Sequence, residues 1–359
     1  MKILEKYIIK EVIGPVFFGI FAFTSLFLGM LLIDLLRMAE KYHLSLLFTL
    51  KLLSLKLPEY VTIGFPISVL LAILIGIGKL TSHSETIAMR AGGLSYSKLA
   101  TPILIIGLVV SISGVLLNEY VVPVSRRVYD KMKDEAVNKE ASGTIYEFSK
   151  TFKDKDIRKL IYAETYEPKV KELHNVIIQE VIDGKLQRTI SALVMYWDGK
   201  GWYFNHGQIY QFSSDNLYPI TVDQGRFNYE LSLTPKEIER FDESPENKSI
   251  SELNRYINKF AKEGVERQRL LVDLHNKLSI PFASFVFAIL GTPLALRPQR
   301  RSNAAGFGLC IIYILIWYGF MGFGGFLART GAVPAFLGAW LPNIVLAGYG
   351  IYVFLRVKR

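Results

Sequence analysis

A chain of 359 residues that is 51% hydrophobic, with a mean hydropathy of +0.28, is more apolar than most soluble proteins and too polar to lie wholly in a membrane. Its net charge of +10 is uneven, because residues 125–265 hold 22 Lys and Arg against 23 Asp and Glu. The segment large enough to offer a broad basic surface is therefore close to neutral, which argues against nucleic acid as a partner.

Six apolar runs predict membrane-spanning helices, because each approaches the roughly 20 residues that a helix needs to cross a bilayer. They cover residues 12–36, 57–78, 100–122, 278–296, 304–327 and 333–355. The first run is too long for a signal-peptide core and lacks an A-x-A cleavage site, so we expect it to remain as an anchor. The prediction is three spans in residues 1–124, an inserted domain in 125–265 and three spans in 266–359.

The Lys and Arg residues of the short connections predict the orientation, because the cytoplasmic side of a membrane protein carries their excess. With the N-terminus inside, the inner side holds Lys2, Lys6, Lys10, Lys79, Arg90, Lys98, Arg297, Arg300, Arg301, Arg356, Lys358 and Arg359. The outer short connections then hold Arg37, Lys41, Lys51, Lys56 and Arg329. Both termini are therefore predicted to be cytoplasmic, with the inserted domain outside.

A polar segment, residues 79–95, separates the second and third runs. Ser82 followed by Glu85 has the spacing of a capping box, and the Gly92-Gly93 pair is typical of a helix stop. The pattern predicts a short amphipathic helix over about residues 82–92 that lies against the membrane.

The predicted helix has two faces. Ile87, Ala91 and Leu94 fall on one, and Thr86 and Arg90 stand together at i, i+4 on another. A helix this short is too small for an activity of its own. We expect it to be held by another protein.

The first span ends at an i, i+3 pair of opposite charges, Asp34 and Arg37. The simpler interpretation is an ion pair at the membrane interface. The alternative places Arg37 and Lys41 at the mouth of a site for an anionic lipid head group.

A basic cluster follows the third span, on a helix that continues out of the membrane. Its members are Arg126, Arg127, Lys131 and Lys133. One interpretation pairs them with the nearby acids Asp130 and Asp134. The other lets them meet lipid phosphates.

Period-two alternation predicts strands in the inserted domain, at residues 160–167, 174–182, 186–196, 202–212 and 226–233. Asp183-Gly184 is a hairpin signal, and residues 198–201 are a second turn. The strands predict an antiparallel sandwich or jelly roll. Its core is expected to contain Tyr196, Trp197, Trp202, Tyr203 and Phe204, although these residues fit an acyl-chain groove as well.

Three local features are predicted after the strands. Ser249 and Glu252 form a capping box that opens a helix ending near residue 262. Glycines in the fifth span indicate close approach of another backbone or of an acyl chain. Asn343 is expected to bond to a neighbouring helix, and the lone Cys310 leaves the inserted domain without a disulfide.

The sequence contains none of the common signatures of catalysis. No P-loop, G-x-S-x-G or Ser/His/Asp motif occurs, and no catalytic residue, cofactor or metal is predicted. The five histidines are scattered without metal-ligand spacing: His43, His83, His174, His206 and His275. The spans also lack the buried acidic or histidine chains of a proton-driven pump. The energy for any work is therefore expected to come from a separate subunit.

The chain resembles the lipopolysaccharide export permease family (LptF/LptG) over essentially its whole length. The resemblance is strongest in residues 57–95 and 275–297, and the A-W-L-P-N motif at 339–343 supports it. It implies an α-helical membrane protein with six transmembrane helices and an inserted all-β, jelly-roll-like periplasmic domain. It further implies a non-enzymatic, multi-pass subunit of an ABC-type exporter in the bacterial inner membrane.

The resemblance also implies partners. These are a cytoplasmic ABC ATPase dimer, a second related permease (a paralogue or a second copy of this chain), a periplasmic jelly-roll bridge protein and lipopolysaccharide. The lipid would be taken from the outer leaflet of the inner membrane and passed to the periplasmic jelly roll. The first and fifth spans would form the family's lateral gate.

Site residues follow from the same resemblance. Glu85 matches the coupling-helix glutamate that meets the ATPase, and Arg90 lies on the same helix. Arg37, Lys41, Lys131 and Lys133 fall where the family has basic residues that face the lipid phosphates.

Two other classes of function fit the sequence less well. A membrane-anchored periplasmic binding or assembly module needs fewer spans, and co-purification with an ATPase would distinguish it from an exporter. An intramembrane lipid-modifying enzyme needs clustered acidic or histidine residues at one membrane face, which the sequence does not contain.

Overall fold

The computed structural model describes most of the chain in twelve stretches. They are residues 2–137, 148–154, 157–167, 170–182, 185–204, 207–213, 216–224, 227–229, 234–235, 245–260, 264–296 and 303–358. The chain divides into two compact units. The helical unit is Met1–Lys133, Pro245–Asn258 and Lys262–Arg359, and the strand unit is Asp134–Ser244 and Lys259–Ala261.

Long helices make up the helical unit. In chain order the helices are α1 (Lys2–Lys41), α2 (Leu46–Ser82), α3 (Glu85–Ala91), α4 (Tyr96–Leu116), α5 (Val122–Val137), α6 (Ile250–Phe260), α7 (Gly264–Ala295), α8 (Asn303–Arg329) and α9 (Ala335–Lys358), with a π-helical turn (Leu117–Val121) between α4 and α5. Within the described residues six helical stretches are long and apolar enough to cross a membrane. The prediction of six spans is therefore confirmed.

The core of the helical unit is built around α2. Ser45 opens this helix by accepting a hydrogen bond from the amide of Phe48. Most residues from the middle of α2 onward are buried, among them Leu70 and Ile73, and they pack against Phe287 of α7. This burial on several sides makes α2 the central helix of the unit.

Small residues bring the helix backbones close together. A Cβ atom added at Gly76 of α2 would lie 2.6 Å from the carbonyl oxygen of Glu11 of α1. One added at Gly324 of α8 would overlap the carbonyl oxygen of Gly338 of α9. Such contacts are typical of packed membrane helices. The close approach predicted for glycines of the fifth span is thus confirmed for Gly324.

Asn343 joins three helices of the unit. Its side-chain amide donates a hydrogen bond of 2.7 Å to the carbonyl of Ser279 on α7, and its oxygen accepts one of 3.0 Å from the indole N–H of Trp317 on α8. The predicted bond to a neighbouring helix is confirmed.

The strand unit contains an antiparallel sheet. Its described strands are β1 (Phe148–Asp154), β2 (Ile157–Glu167), β3 (Glu172–Ile182), β4 (Lys185–Trp197), β5 (Trp202–Phe204), β6 (Gly207–Ser213), β7 (Asn216–Gln224) and β8 (Phe227–Tyr229). β1 to β4 pair in chain order, β5 and β6 both pair with β4, and β8 and β7 lie beside them. The predicted class, six membrane helices with an inserted all-β domain, is confirmed. Among the described strands, the pairings of β4 with β6 and of β5 with β8 join strands that are not chain neighbours.

One face of the sheet is apolar because the side chains alternate along each strand. Ile161, Ile178, Ile190 and Ile209 lie opposite one another across four strands and are all buried. Such a cross-strand row fixes the register, since a slip of one residue would expose the isoleucines.

Two of the five aromatic residues predicted for the core are fully buried, Trp202 and Phe204. The other three are half-buried. Tyr203 is stacked on Tyr196 with ring centroids 5.5 Å apart, and Trp202 meets Trp197 edge to face. The core interpretation is therefore confirmed for the first two.

The observed strands include two that the sequence pattern did not predict. They are β1 and β7. Within the predicted strand 202–212 the structure describes β5 and β6, which pair with β4 in one continuous register, and Asn205 and His206 between them lie outside the described residues. β7 contains Pro219, which cannot donate to a ladder, and β7 accordingly pairs only with β6 among the described strands.

The two predicted turns are borne out as far as the structure describes them. Asp183 and Gly184 lie outside the described residues, but Ile182 faces Lys185 across an antiparallel pair, as a two-residue hairpin requires. The carboxylate of Asp198 accepts hydrogen bonds from the amides that close the second turn.

Candidate functional site

The short helix α3 lies at one end of the helical unit, which we call the terminal face because Tyr7 and Phe354 lie there with it. Tyr7 contacts Glu85 of α3, and Phe354 meets Tyr96, the first residue of α4, edge to face at 5.5 Å. The opposite face is the end of the unit that contains Arg37, Arg126 and Arg329.

The predicted start of this helix at Ser82 is wrong. Ser82 is the last residue of α2, and its hydroxyl donates a hydrogen bond of 2.8 Å to the carbonyl of Lys79. α3 begins only at Glu85, after Ser84, whose backbone is left-handed with φ 62° and whose side chain makes no capping bond. The capping box does not form because the Ser82 hydroxyl bonds within its own helix.

Within the chain, the buried side of α3 is the one that carries Thr86. Thr86 is 3% exposed and its hydroxyl donates to that of Thr81, which in turn lies 2.9 Å from the carbonyl oxygen of Ala295 on α7. Ile87 is 47% exposed instead. Hydrogen bonding of Thr86 to α2 decides the rotation of the helix and turns Ile87 outward.

Glu85 is held by a residue of the first helix. One carboxylate oxygen accepts a hydrogen bond of 2.9 Å from the hydroxyl of Tyr7, and the other lies 3.8 Å from Nδ1 of His83. The Glu85 side chain remains 34% exposed. A second contact joins α1 and α2 nearby, an ion pair of 3.1 Å between Glu11 and Lys79.

Arg90 is exposed on the same helix, and its guanidinium lies over the ring of Tyr96 at 5.5 Å. The structure therefore brings both predicted coupling residues, Glu85 and Arg90, to the surface of the terminal face. The sequence analysis did not predict that Tyr7 binds Glu85. The one sequence feature that could have suggested a role for Tyr7 is its position one turn before Glu11 on the basic N-terminal helix.

The four basic residues predicted to meet lipid phosphates, Arg37, Lys41, Lys131 and Lys133, are all exposed. Arg37 lies 3.9 Å from Asp34, the pair expected from the sequence, and Lys41 lies over the ring of Tyr42.

The elements that carry these residues pack together at the opposite face. Leu35 of α1, Leu52 of α2 and Tyr129 of α5 form one buried cluster, with Met38 and Met132 against it. The two basic pairs are therefore on adjoining helices.

Arg126 and Arg127 bind acids from other segments of the chain. Arg126 binds the carboxylates of Glu59 on α2 and Glu246, and Arg127 binds Glu252 on α6. Their partners come from distant parts of the chain because α5 packs with its polar side against α2 and the segment of residues 245–252.

The start of α6 agrees with its prediction. The Glu252 amide donates to the Ser249 hydroxyl at 3.2 Å, and the Ser249 amide donates to the Glu252 carboxylate at 3.0 Å. Glu119 of the π-helical turn accepts further hydrogen bonds from the amides of Ile250 and Ser251. The N-terminus of α6 is thereby fixed to the end of α4.

A cleft of about 470 Å³ lies beside this contact. It is lined by Val115, Leu116, Glu119, Tyr120, Ile250, Ser251, Asn254, Leu274, His275 and Leu278. Cavities of this size hold a drug-sized molecule. A lipid with several acyl chains exceeds it.

Comparison with known proteins identifies the family. A family model described as "Lipopolysaccharide export system permease LptF/LptG" matches residues 6–356. The chain belongs to the LptF/LptG family. The chain is also similar to the lipopolysaccharide export system permease protein LptG of Escherichia coli K12, with 21% identity over 99% of this chain and 98% of the relative. It is 22% identical to the protein of the same name from Haemophilus influenzae, over 95% of both chains.

The strand unit of this LptF/LptG family member contains a buried polar group as well. Glu180 of β3 accepts hydrogen bonds from Arg188 of β4 and from the hydroxyl of Tyr229 of β8, at 2.6 to 3.1 Å. Burial by itself raises the pKa of Glu180, but the bonds from Arg188 and Tyr229 outweigh it, so the pKa lies below its usual value.

The contacts of Glu180 also show that the sheet is curved. β8 pairs with β5, yet Tyr229 reaches Glu180 of β3, and Lys159 of β2 lies over its ring at 5.1 Å. The sheet must therefore curl so that its edge strand meets strands that are not its neighbours.

Within the described ranges no group of three His, Cys, Asp or Glu side chains is placed to hold a metal ion.

Proposed function

We propose that this chain is the permease subunit of an ABC-type lipopolysaccharide exporter in the bacterial inner membrane. The observation that carries the proposal is the family match over residues 6–356, together with six spans and an inserted sheet. The two relatives described above carry the LptG name, which favours the LptG position in the exporter for this chain.

The terminal face is proposed to be cytoplasmic. The positive-inside rule supports this orientation, because Lys79, Arg90 and Lys98 flank or belong to α3 while the connection between α8 and α9 holds only Arg329 at its edge. In this orientation the strand unit is periplasmic.

Energy is proposed to come from a cytoplasmic ATPase dimer that binds α3. The sequence has no nucleotide-binding loop of its own. α3 presents an exposed apolar residue, Ile87, beside the carboxylate of Glu85 and the guanidinium of Arg90. Such a mixture suits a protein partner, since an apolar centre gives affinity and the charges give orientation.

The lipid is proposed to enter near the opposite face. Arg37, Lys41, Lys131 and Lys133 lie exposed on adjoining helices, where cations attract the phosphate groups of an anionic lipid. The cleft beside α6 is too small for such a lipid, so the main cavity is proposed to form against a second permease.

Two helices are available for that second permease. α1 exposes Phe17, Phe18 and Phe21, and α8 exposes Phe323 and Phe326. Few residues of either span are buried within this chain. These faces are proposed to line the lateral gate through which the lipid leaves the membrane.

The strand unit is proposed to receive the acyl chains and to pass them to a periplasmic jelly-roll bridge protein. Withdrawing acyl chains from apolar surroundings costs about 0.8 kcal/mol per CH₂ group. Spontaneous extraction is therefore negligible, and the energy must come from ATP hydrolysis and from an apolar surface that accepts the chains.

The test is a Glu85→Ala variant in the complex purified through this chain from its host and reconstituted in vesicles with lipopolysaccharide. We expect ATP-dependent release of the lipid to fall about tenfold or more, as typical for loss of coupling between sites. Glu5→Ala, which removes an acid from the same face outside α3, serves as the control and should release the lipid normally.

Three results would contradict the proposal. They are the absence of any ATPase from the complex, the absence of lipid release by the wild-type complex, and normal release by the Glu85→Ala complex. The first would favour a binding or assembly module.

A further inference from the structure

A buried ion-pair cluster lies at the opposite face of the helical unit. Its centre is Arg126 of α5, whose Nη2 and Nε lie 2.6 and 2.8 Å from the two carboxylate oxygens of Glu59 on α2. Its Nη1 lies 3.1 Å from the carboxylate of Glu246. The side chains of Arg126 and Glu59 are 16% and 14% exposed. Arg126 thus binds Glu59 in a largely dehydrated place and, at the edge of that place, Glu246, whose side chain is 72% exposed.

Lys56 gives a second link between α2 and α5. Its Nζ lies 3.0 Å from the Glu59 carboxylate and 4.7 Å from the ring centroid of Tyr129, which is one turn beyond Arg126. Cation–π contacts of this kind add attraction where water is excluded. We call Lys56, Glu59, Arg126 and Glu246 the Arg126 cluster.

Other contacts fasten the segment of residues 245–252 at the same place. Lys277 of α7 donates to the carbonyl of Glu246 at 2.9 Å. Asn247 donates to Asp130 of α5. The segment that returns from the strands is therefore bound to α5 and α7.

The segments that these contacts join connect the two ends of the helical unit and lead to the inserted strands. α2 leads at its terminal-face end into α3, and α5 and the segment of residues 245–252 are the two connections between the spans and the inserted strands. Among the side chains of α5 described above, only Arg126 binds both α2 and that segment.

We propose that Arg126 is a positioning residue of the transport cycle, which transfers displacement of α2 to both chain segments that bound the inserted strands. This inference rests on the proposed function. The bidentate contact suits the role because an arginine–carboxylate fork is strong and fixed in direction. Lysine retains the charge but cannot make the fork.

The test measures lipopolysaccharide released per ATP hydrolysed, in the reconstituted complex described above. Arg126→Gln and Glu59→Gln should each lower this ratio about fivefold or more, the lower end of typical coupling between sites, while ATP hydrolysis continues. Because both act through one contact, the double variant should be no worse than the poorer single variant. Arg126→Lys should lower the ratio as well.

The control is Arg329→Gln. Arg329 forms an ion pair of 2.8 Å with Asp273 at the same face, between α8 and α7 rather than with α2, and it is half exposed. This variant should retain the wild-type ratio. Thermal unfolding and the amount of co-purified ATPase check that each variant is folded and assembled, and Arg126→Lys serves where Arg126→Gln does not fold.

Different failures are distinguishable. A wild-type complex that releases no lipid overturns the proposed function and this inference with it. A wild-type ratio in Arg126→Gln or Arg126→Lys overturns the inference alone. Losses that multiply in the double variant also overturn it, since Arg126 and Glu59 would then act separately, as in direct binding of the lipid by Arg126.

Discussion

The helical unit and the strand unit differ in the size of the residues at their closest contacts: glycine between helices, and large aromatic side chains in the sheet. Helices of the first approach until backbones nearly touch, as at Gly76 beside Glu11 and at Gly324 beside Gly338. The sheet of the second buries its largest side chains completely, and Trp202 is among them.

The difference follows from the solvent proposed for each unit. Between membrane helices there is little hydrophobic driving force, because lipid tails are as apolar as the side chains, so close backbone contact supplies the attraction. A sheet in water is stabilised by removing large apolar side chains from that water. Opposite kinds of substitution should therefore disrupt the two units.

The largest effect is expected from truncating the strand core. Trp202→Ala should lower the free energy of unfolding of the strand unit by about 3–5 kcal/mol, through lost burial and a cavity. The measurement is urea unfolding of the detergent-solubilised chain, followed by proteolysis within residues 134–244. Tyr203→Ala, at a half-buried position on the next residue, should cost clearly less. Equal losses would contradict a one-faced core.

A smaller effect is expected from enlarging a contact in the helical unit. Gly324→Ala should destabilise it by about 1–3 kcal/mol, because the new methyl group would meet the carbonyl of Gly338. Gly319→Ala is the matched control on the same helix, where a Cβ meets nothing within 4 Å. It should be neutral or stabilising in thermal unfolding by about 0.5–1 kcal/mol, since alanine favours a helix. Similar midpoints for both variants would contradict the close contact.

An acid-dependent effect is expected in the strand unit alone. The lowered pKa of Glu180 means that its carboxylate stabilises the fold above the unfolded value of about 4.3, and that this contribution is lost as pH falls through the folded pKa. The difference in stability between wild type and Glu180→Gln should therefore shrink as pH is lowered below about 4.3. Unfolding midpoints at several pH values test this, and a constant difference would contradict it.

The smallest effect is expected at the terminal face. Tyr7→Phe removes the hydrogen bond to Glu85 at an exposed place and should change the melting temperature of the helical unit only slightly. Hydrogen exchange at the amides of α3 should nevertheless increase, because Glu85 loses its link to α1. Unchanged exchange would mean that the bond does not order α3.

Two identical sequence patterns gave different structures. Ser82 and Ser249 each precede a glutamate by three residues, and both predicted a capping box. Ser249 follows a short 3₁₀ turn, and its hydroxyl caps α6. Ser82 lies in the last turn of α2, which continues to it while Thr81 contacts α7. A local pattern does not reveal whether the preceding helix has ended.

The six spans and the inserted sheet could be predicted from the sequence. A helix in a bilayer requires a long apolar run, and a strand with one buried face requires alternating apolar and polar residues. The contacts of Arg126 could not be predicted from the sequence in this way. Its partner Glu59 lies 67 residues earlier. The nearby Asp130 was the natural expectation, and only packing of α5 against α2 selects the distant acid. The sequence feature that could have suggested this contact is Glu59 itself, an acid near Lys56 at the start of an apolar run.

Cys310, the only cysteine of the chain, is 1% exposed, with its sulfur 4.0 Å from the carbonyl oxygen of Ile67. A thiol reagent in solution cannot reach it in the folded chain. Cysteines placed at the surface of α2 and α5 would then carry spin labels or fluorophores against an almost silent background, and distances between these helices during ATP turnover become measurable without first removing a native residue.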